Sequence, residues 1–149
     1  MFRDEKAFLS NFTYVPTGIY HHGIRFNTVE NAYQAAKCAD TKDMYQFANI
    51  PPAQAKKLGR TVTLRPDWDA VKLDIMKDLL SQKFEYRKFA NRLKETGDEP
   101  LIEENYWHDN YWGVCKCHKC MTSATQGQNH LGRLLTEIRN RLKNEGSVA

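Results

Sequence analysis

The sequence has no apolar run long enough to cross a bilayer, and its first residues carry no secretory pattern. Met1-Phe2-Arg3-Asp4-Glu5-Lys6 is charged and leads straight into a hydrophobic segment, which argues for a cytosolic (cytoplasmic) protein with no membrane partner. Eight glycines and five prolines in 149 residues leave no linker or low-complexity tract, and no internal repeat is visible. Four cysteines in a chain of this size and compartment do not suggest a disulfide framework. Neither sign of charge dominates: 22 Lys and Arg stand against 18 Asp and Glu, a net charge of +4. That balance permits a phosphate-bearing substrate or nucleic acid without demanding one. What remains is a globular composition, 41% hydrophobic and 27% charged, expected to form one domain over residues 1–149 with a core that needs no staples.

The stretch around which the chain is organised is Thr28-Val29-Glu30-Asn31-Ala32-Tyr33-Gln34-Ala35-Ala36-Lys37. At about 100° per residue, Val29, Ala32, Tyr33 and Ala36 form one apolar stripe of a short helix. Glu30, Gln34 and Lys37 form a second stripe beside it, within about 60° of one another, and Thr28 is available as the cap. Two readings fit. One is a solvated ladder of i,i+4 and i,i+3 pairs, which an isolated segment would favour. The other is a working face that sets an acid, an amide and an amine beside a buried stripe.

Elsewhere the local signals are plain. Phe8-Leu9-Ser10-Asn11-Phe12 anchors a Ser-Asn pair between apolar residues; Asn11 is either a turn residue, which spacing favours, or an amide offered to a ligand. Pro16-Thr17-Gly18 and His22-Gly23 bracket Ile19-Tyr20, and Ile24-Arg25-Phe26 alternates as a small strand. His21 and His22 point to opposite faces of a strand and make a poor metal pair. A short helix is expected over Met44–Ala48, and a second from Pro52 to Leu58 with Gly59 past its end. Arg60 is then either a solvated charge or a guanidinium delivered to phosphate. Pro66-Asp67-Trp68-Asp69 begins what should be the longest helix, with Asp67 or Asp69 near its positive end. Its core stripe is Trp68, Val71, Ile75, Leu79 and Leu80, widened by Met76 and Phe84. Phe89–Leu93 is amphipathic and ends at Thr96-Gly97, the glycine placed as a C-cap.

After an extended Pro100–Asn105 comes Tyr106-Trp107-His108-Asp109-Asn110-Tyr111-Trp112-Gly113, four aromatics among polar groups with no regular period. Such a loop suits either the lining of a pocket for a flat ring or a hydrophobic plug. Cys115-Lys116-Cys117-His118-Lys119-Cys120 gathers three thiols and an imidazole that could hold zinc. Without a second CxxC pair the expectation is reduced thiols and no metal, zinc at Cys115, Cys117 and Cys120 being the alternative. Thr125–Arg133 then enters a final helix with apolar Leu131, Leu134, Leu135, Ile138 and Leu142. Gly127 and Asn129 stand where free N–H groups would meet an anion, although capping by Asn129 is the simpler reading. The tail after Lys143 should fray.

In combination, these landmarks are specific. Phe8-Leu9-Ser10-Asn11-Phe12, Glu30-Asn31-Ala32-Tyr33-Gln34-Ala35-Ala36-Lys37, Leu58-Gly59-Arg60, Trp68, Lys83-Phe84, Thr96-Gly97, Trp112-Gly113 and Gly127-Gln128-Asn129-His130-Leu131-Gly132 resemble, in order and spacing, the NADAR (YbiA-like) family from Phe8 to about Leu142. Asn31 departs from that pattern, where histidine is usual after the glutamate, and the cysteine-rich run is not a general family feature. The resemblance implies a mainly α fold: a compact single-domain helical bundle with a few short strands. It also implies N-glycosidase chemistry, without a cofactor. The substrate would be ADP-ribose on guanine, in a nucleoside or nucleic acid, or a phosphorylated ribosylamino-pyrimidine intermediate of riboflavin synthesis. By analogy with glycoside hydrolysis, Glu30 and Asp109 would supply the carboxylates. Lys37 would stabilise an anionic oxygen or form an imine with the opened sugar. Trp107 and Trp112 would stack on the base, and Asn11 and Gln34 would read its polar edge. Arg60, Gly127, Asn129 and Arg133 would bind phosphate. The competing reading is a non-catalytic module that binds ADP-ribose or nucleotide.

Overall fold

The computed structural model describes residues 2–123 and 127–147. Among them the chain is mainly helical with two short two-stranded sheets, and it divides into two units, Asn11–Phe89 and Met1–Ser10 with Ala90–Ala149.

The unit Asn11–Phe89 starts from a hairpin. β1 (Ile19–His21) pairs antiparallel with β2 (Ile24–Phe26) through His22 and Gly23, both at positive φ. That turn takes His22 out of the strand, so the imidazoles of His21 and His22 meet edge to face at 4.6 Å instead of pointing apart. The free edge of β1 is covered by a side chain: Gln82 accepts from the Tyr20 N–H at 2.7 Å and donates to the Tyr20 carbonyl at 2.8 Å, as a neighbouring strand would.

α1 (Val29–Ala36) follows at once and packs chiefly on α3 (Pro52–Leu58) and α4 (Trp68–Lys83). Between α1 and α3, the helix expected at Met44–Ala48 begins earlier, as α2 (Thr41–Met44), because Asp40 caps it by accepting from the Lys42 N–H. It then tightens to a 3-10 turn over Tyr45–Phe47. In α4 the apolar stripe buries Trp68, Met76, Leu79 and Leu80, and the Trp68 ring tilts against Tyr33 of α1 at 5.2 Å. Asp67 stands at the N-cap position, yet its carboxylate is turned back to the Arg65 guanidinium and does not cap.

In the other unit, the end of α5 (Arg87–Glu95) buries Leu93, and the chain leaves through Gly97 at φ +66, the expected C-cap conformation. The Arg92 guanidinium lies over the Phe8 ring at 4.3 Å and donates to the Glu5 carbonyl, while Lys6 pairs with Glu99. β3 (Glu104–Asn105) and β4 (Val114–Cys115) run parallel. α6 (His118–Met121) and α7 (His130–Ser147) complete the unit. At 18 residues, α7 exceeds the 16 of α4, contrary to the expectation that the helix after Pro66 is the longest. It also continues past Lys143, where fraying was expected, because the Lys143 ammonium is held by the Gly97 carbonyl and Asp98. Thr125, Gln126, Val148 and Ala149 lie outside the described residues.

Lys83, at the end of α4, is fully buried, its Nζ 5.5 and 5.7 Å from the ring centroids of Phe84 and Phe89. Burial penalises its charge and draws the amine from the usual 10.5 to about 7. The unfolded chain therefore holds the extra proton between those values, so this group makes stability rise with pH from about 7 to 10.5. Denaturant midpoints should climb between neutral pH and the alkaline range, and Lys83→Met should flatten the climb; an equal slope in the variant would assign it to other groups.

Candidate active site

No residue of α1 faces solvent. All eight, Val29 to Ala36, are buried, which removes the reading of Glu30 and Gln34 as a solvated ladder. Thr28 caps the helix by accepting from the Asn31 N–H at 3.0 Å. The Asn31 side chain then ties the helix to its surroundings. Its Oδ1 accepts from the Thr28 hydroxyl at 2.6 Å, and its Nδ2 donates to the carbonyls of Phe47 and Ile50, each at 2.8 Å. An amide with donor and acceptor both satisfied can be buried at little cost, and Asn31 is 1% exposed.

On this fixed helix the polar stripe turns inward. Gln34 donates to Glu30 Oε1 at 2.7 Å, which orients the carboxylate, while Gln34 Oε1 is buried without a hydrogen-bond partner. Lys37 is the C-cap residue and keeps helical dihedrals, so it stays on the Glu30–Gln34 face. Burial most strongly disfavours its ammonium; the Glu30 charge works in the opposite direction, and Arg60, Lys56 and Lys72 repel. The net effect is an amine that loses its proton below the ordinary lysine range.

Two further candidates belong to the same unit. The Asn11 carbonyl accepts the Glu30 N–H at 3.0 Å, so this residue abuts the start of α1. Its Nδ2 reaches Met76 Sδ at 3.6 Å, and its Oδ1 is buried and unpartnered. Arg60 is exposed, and its charge is felt at Lys37. Gly59 is helical at φ −60, so it is not glycine for the sake of a left-handed cap. A Cβ there would run into the Gln34 amide. The Leu58-Gly59-Arg60 motif thus contains a positioning element for Gln34 that the helix-end reading misses.

The remaining candidates lie in the other unit, where several polar groups hold the backbone. Asp109 Oδ1 accepts from the N–H groups of Tyr111 and Trp112 at 3.1 and 3.0 Å. Asn105, 1% exposed, accepts from the N–H groups of Trp107 and Asp109 and donates to the Asp109 carbonyl. Asn129 takes φ +52; its Oδ1 accepts from the Glu103 N–H and its Nδ2 donates to the Leu101 carbonyl. This amide therefore clasps a neighbouring segment, a use that neither the phosphate nor the capping reading of Asn129 contains. A Cβ on Gly127 would press on the backbone of Gly113 and Val114, which explains that glycine by packing. Arg133 is exposed. Trp107 is 48% exposed, whereas Trp112 leans on Tyr111 at 4.8 Å and stands near His130. The imidazole that joins the three clustered thiols is His108, not the adjacent His118.

The sequence matches the NADAR domain over residues 1–143, and the chain belongs to that family. It is 39% identical over 142 residues to the N-glycosidase Npun_R5314 of Nostoc punctiforme, covering 91% of this chain and 85% of that protein. It is 32% identical over 143 residues to the N-glycosidase YbiA of Escherichia coli, covering 93% and 83%. The NMR structure of the E. coli protein YbiA superposes with a TM-score of 0.77 at 30% identity, covering 98% of this chain and 83% of that one. The chain thus has the mainly helical YbiA-like fold, and its relatives support a hydrolytic N-glycosidase activity.

Gly59→Ala isolates the role of Gln34. The added methyl should displace the Gln34 amide and break its bond to Glu30, lowering turnover about tenfold with a stability change of about 1 kcal/mol or less. Wild-type turnover in a folded Gly59→Ala protein would show that the Gln34–Glu30 bond does not matter to the reaction.

Proposed function

We propose that the protein hydrolyses the ribose–nitrogen bond of a ribosylated base whose sugar carries phosphate. The substrate is ADP-ribose on guanine or a phosphorylated ribosylamino-pyrimidine. The observation that carries this reading is the polar face that runs from α1 into its C-cap, where buried Glu30, buried Gln34 and half-buried Lys37 hold a carboxylate, an amide oxygen without a hydrogen-bond partner and an amine whose hold on its proton is weakened by burial, on successive turns.

The chemistry follows from those groups. The Lys37 amine, in its neutral form, attacks the anomeric carbon of the sugar. The carbon–nitrogen bond to the base breaks and the base leaves with the first proton of the amine; the bond from the anomeric carbon to the ring oxygen then opens, that oxygen takes the second Nζ proton, and an imine joins the opened sugar to Nζ. Water then adds to the imine carbon, the bond to Nζ breaks, and the free aldehyde sugar and the lysine are regenerated. Glu30 moves protons for both halves: it takes one from the attacking amine and later one from water. Gln34 orients Glu30 and, with Asn11, offers a buried acceptor to N–H groups of the ligand. The exposed guanidinium of Arg60 suits phosphate oxygens.

The test is to incubate the protein separately with ADP-ribosylated guanosine or DNA and with the phosphorylated ribosylamino-pyrimidine, and to follow release of base and sugar. Glu30→Gln and Lys37→Ala should each lower hydrolysis by about 10²-fold or more while thermal unfolding stays near wild type. Asp109→Asn keeps an oxygen for the Tyr111 and Trp112 N–H groups, so a loss of hydrolysis there would assign an acid role to the carboxyl itself. Full activity in both α1 variants would overturn the assignment. Tight binding of both substrates with no release would make the protein a binding module.

A further inference from the structure

Near the aromatic loop, four side chains converge that the hydrolytic chemistry does not use. The Nδ1 of His108 lies 3.2 Å from the sulfur of Cys120, 3.5 Å from that of Cys117 and 3.9 Å from that of Cys115. All four candidate ligand atoms fall within 4.8 Å of one another. Around a tetrahedral zinc, with bonds of about 2.3 Å to sulfur and 2.0–2.1 Å to nitrogen, neighbouring ligand atoms stand about 3.5–3.8 Å apart. The observed spacings bracket that value.

The backbone supports the same reading. His108 adopts φ +70, a conformation that side-chain-bearing residues seldom take, and this turn is what directs its ring to the thiols. The His108 N–H donates to the Cys115 sulfur at 3.3 Å, and the Cys120 N–H donates to the Cys117 sulfur at 3.4 Å. Amide donors aimed at sulfur favour thiolate and are the usual surroundings of thiolate ligands. None of the four cysteines is in a disulfide, and a disulfide would leave one thiol and the imidazole of this group unexplained. Three thiolates and a neutral imidazole around a divalent ion carry a net charge of −1, which Lys116 and Lys119, interleaved in the same run, can offset.

We infer that His108, Cys115, Cys117 and Cys120 form a structural zinc site that fastens the aromatic loop to β4 and α6. Sulfur and imidazole donors in a tetrahedral array select zinc among the common divalent ions. With four protein ligands the site is closed, so the ion offers no open position to substrate or water and plays no part in the hydrolysis. Loading releases the three thiol protons to solvent. The Cys115–Cys120 run, expected from sequence to be reduced thiols, becomes a clip whose fourth ligand comes from seven residues before the first cysteine.

The experiment uses the full chain, purified without added zinc, stripped with chelator and refilled with zinc alone or cobalt alone. The expected result is one zinc per chain, an X-ray absorption fit of three sulfurs and one nitrogen, and cobalt spectra with thiolate charge-transfer bands and tetrahedral d–d intensity. His108→Ala should weaken zinc affinity at least about tenfold, whereas His118→Ala should bind as wild type. Failure of the refilled wild-type protein to retain zinc would overturn the site. So would loss of zinc in His118→Ala with retention in His108→Ala. The absorption and metal-content readouts on wild type decide the matter even if a cysteine variant does not fold.

Discussion

A helix of eight residues does not hold itself together in water. α1 exists because everything around it covers it, and that constraint governs the polar groups it carries. Its apolar residues lie against α3 and α4, and its cap and the Asn31 amide join it to the segment before α3 by bonds that leave no donor or acceptor of Asn31 idle. Burying the stripe that includes Val29 and Tyr33 contributes about 1.5–3 kcal/mol per large side chain, and the Thr28 cap about 1 kcal/mol. That surplus is what allows Glu30 and Gln34 to be held out of water, beside a half-buried Lys37, with the Gln34 amide oxygen left without a hydrogen-bond partner. A surface helix with the same three residues would present a hydrated ion pair; this one presents an oriented carboxylate and an amine with a weakened hold on its proton.

Much of this was legible in the residues, because periodicity reports burial. The stripes of α4 and α7, the hairpin around His22-Gly23 and the Gly97 cap all follow from local chemistry that one stretch of chain contains by itself. Even the relation of Glu30, Gln34 and Lys37 on one face required only the pitch of a helix. What the residues could not disclose is whether that face looks at solvent or protein, since this depends on α3 and α4 arriving from later in the chain.

The misreadings share that cause. Gly59 does close α3, as its place in the sequence indicates, but what requires glycine there is the Gln34 amide, 25 positions earlier in sequence. Asn129 stands where a helix begins, and its side chain instead serves Leu101 and Glu103. His118 sits among the cysteines, yet the imidazole that reaches them belongs to His108 across the β4 turn. Lys83 gives no sign in sequence of being fully buried, because a lysine next to phenylalanine is ordinary at the end of an amphipathic helix. In each case short-range chemistry permits several partners, and only the fold selects one.

Lys37 is the group proposed to bond to the sugar. Borohydride reduction during turnover, followed by peptide mass mapping, tests this most directly. The expected result is a reduced sugar adduct on the peptide that carries Lys37, formed only while substrate is being consumed. Undiminished hydrolysis with no adduct at Lys37 would contradict it.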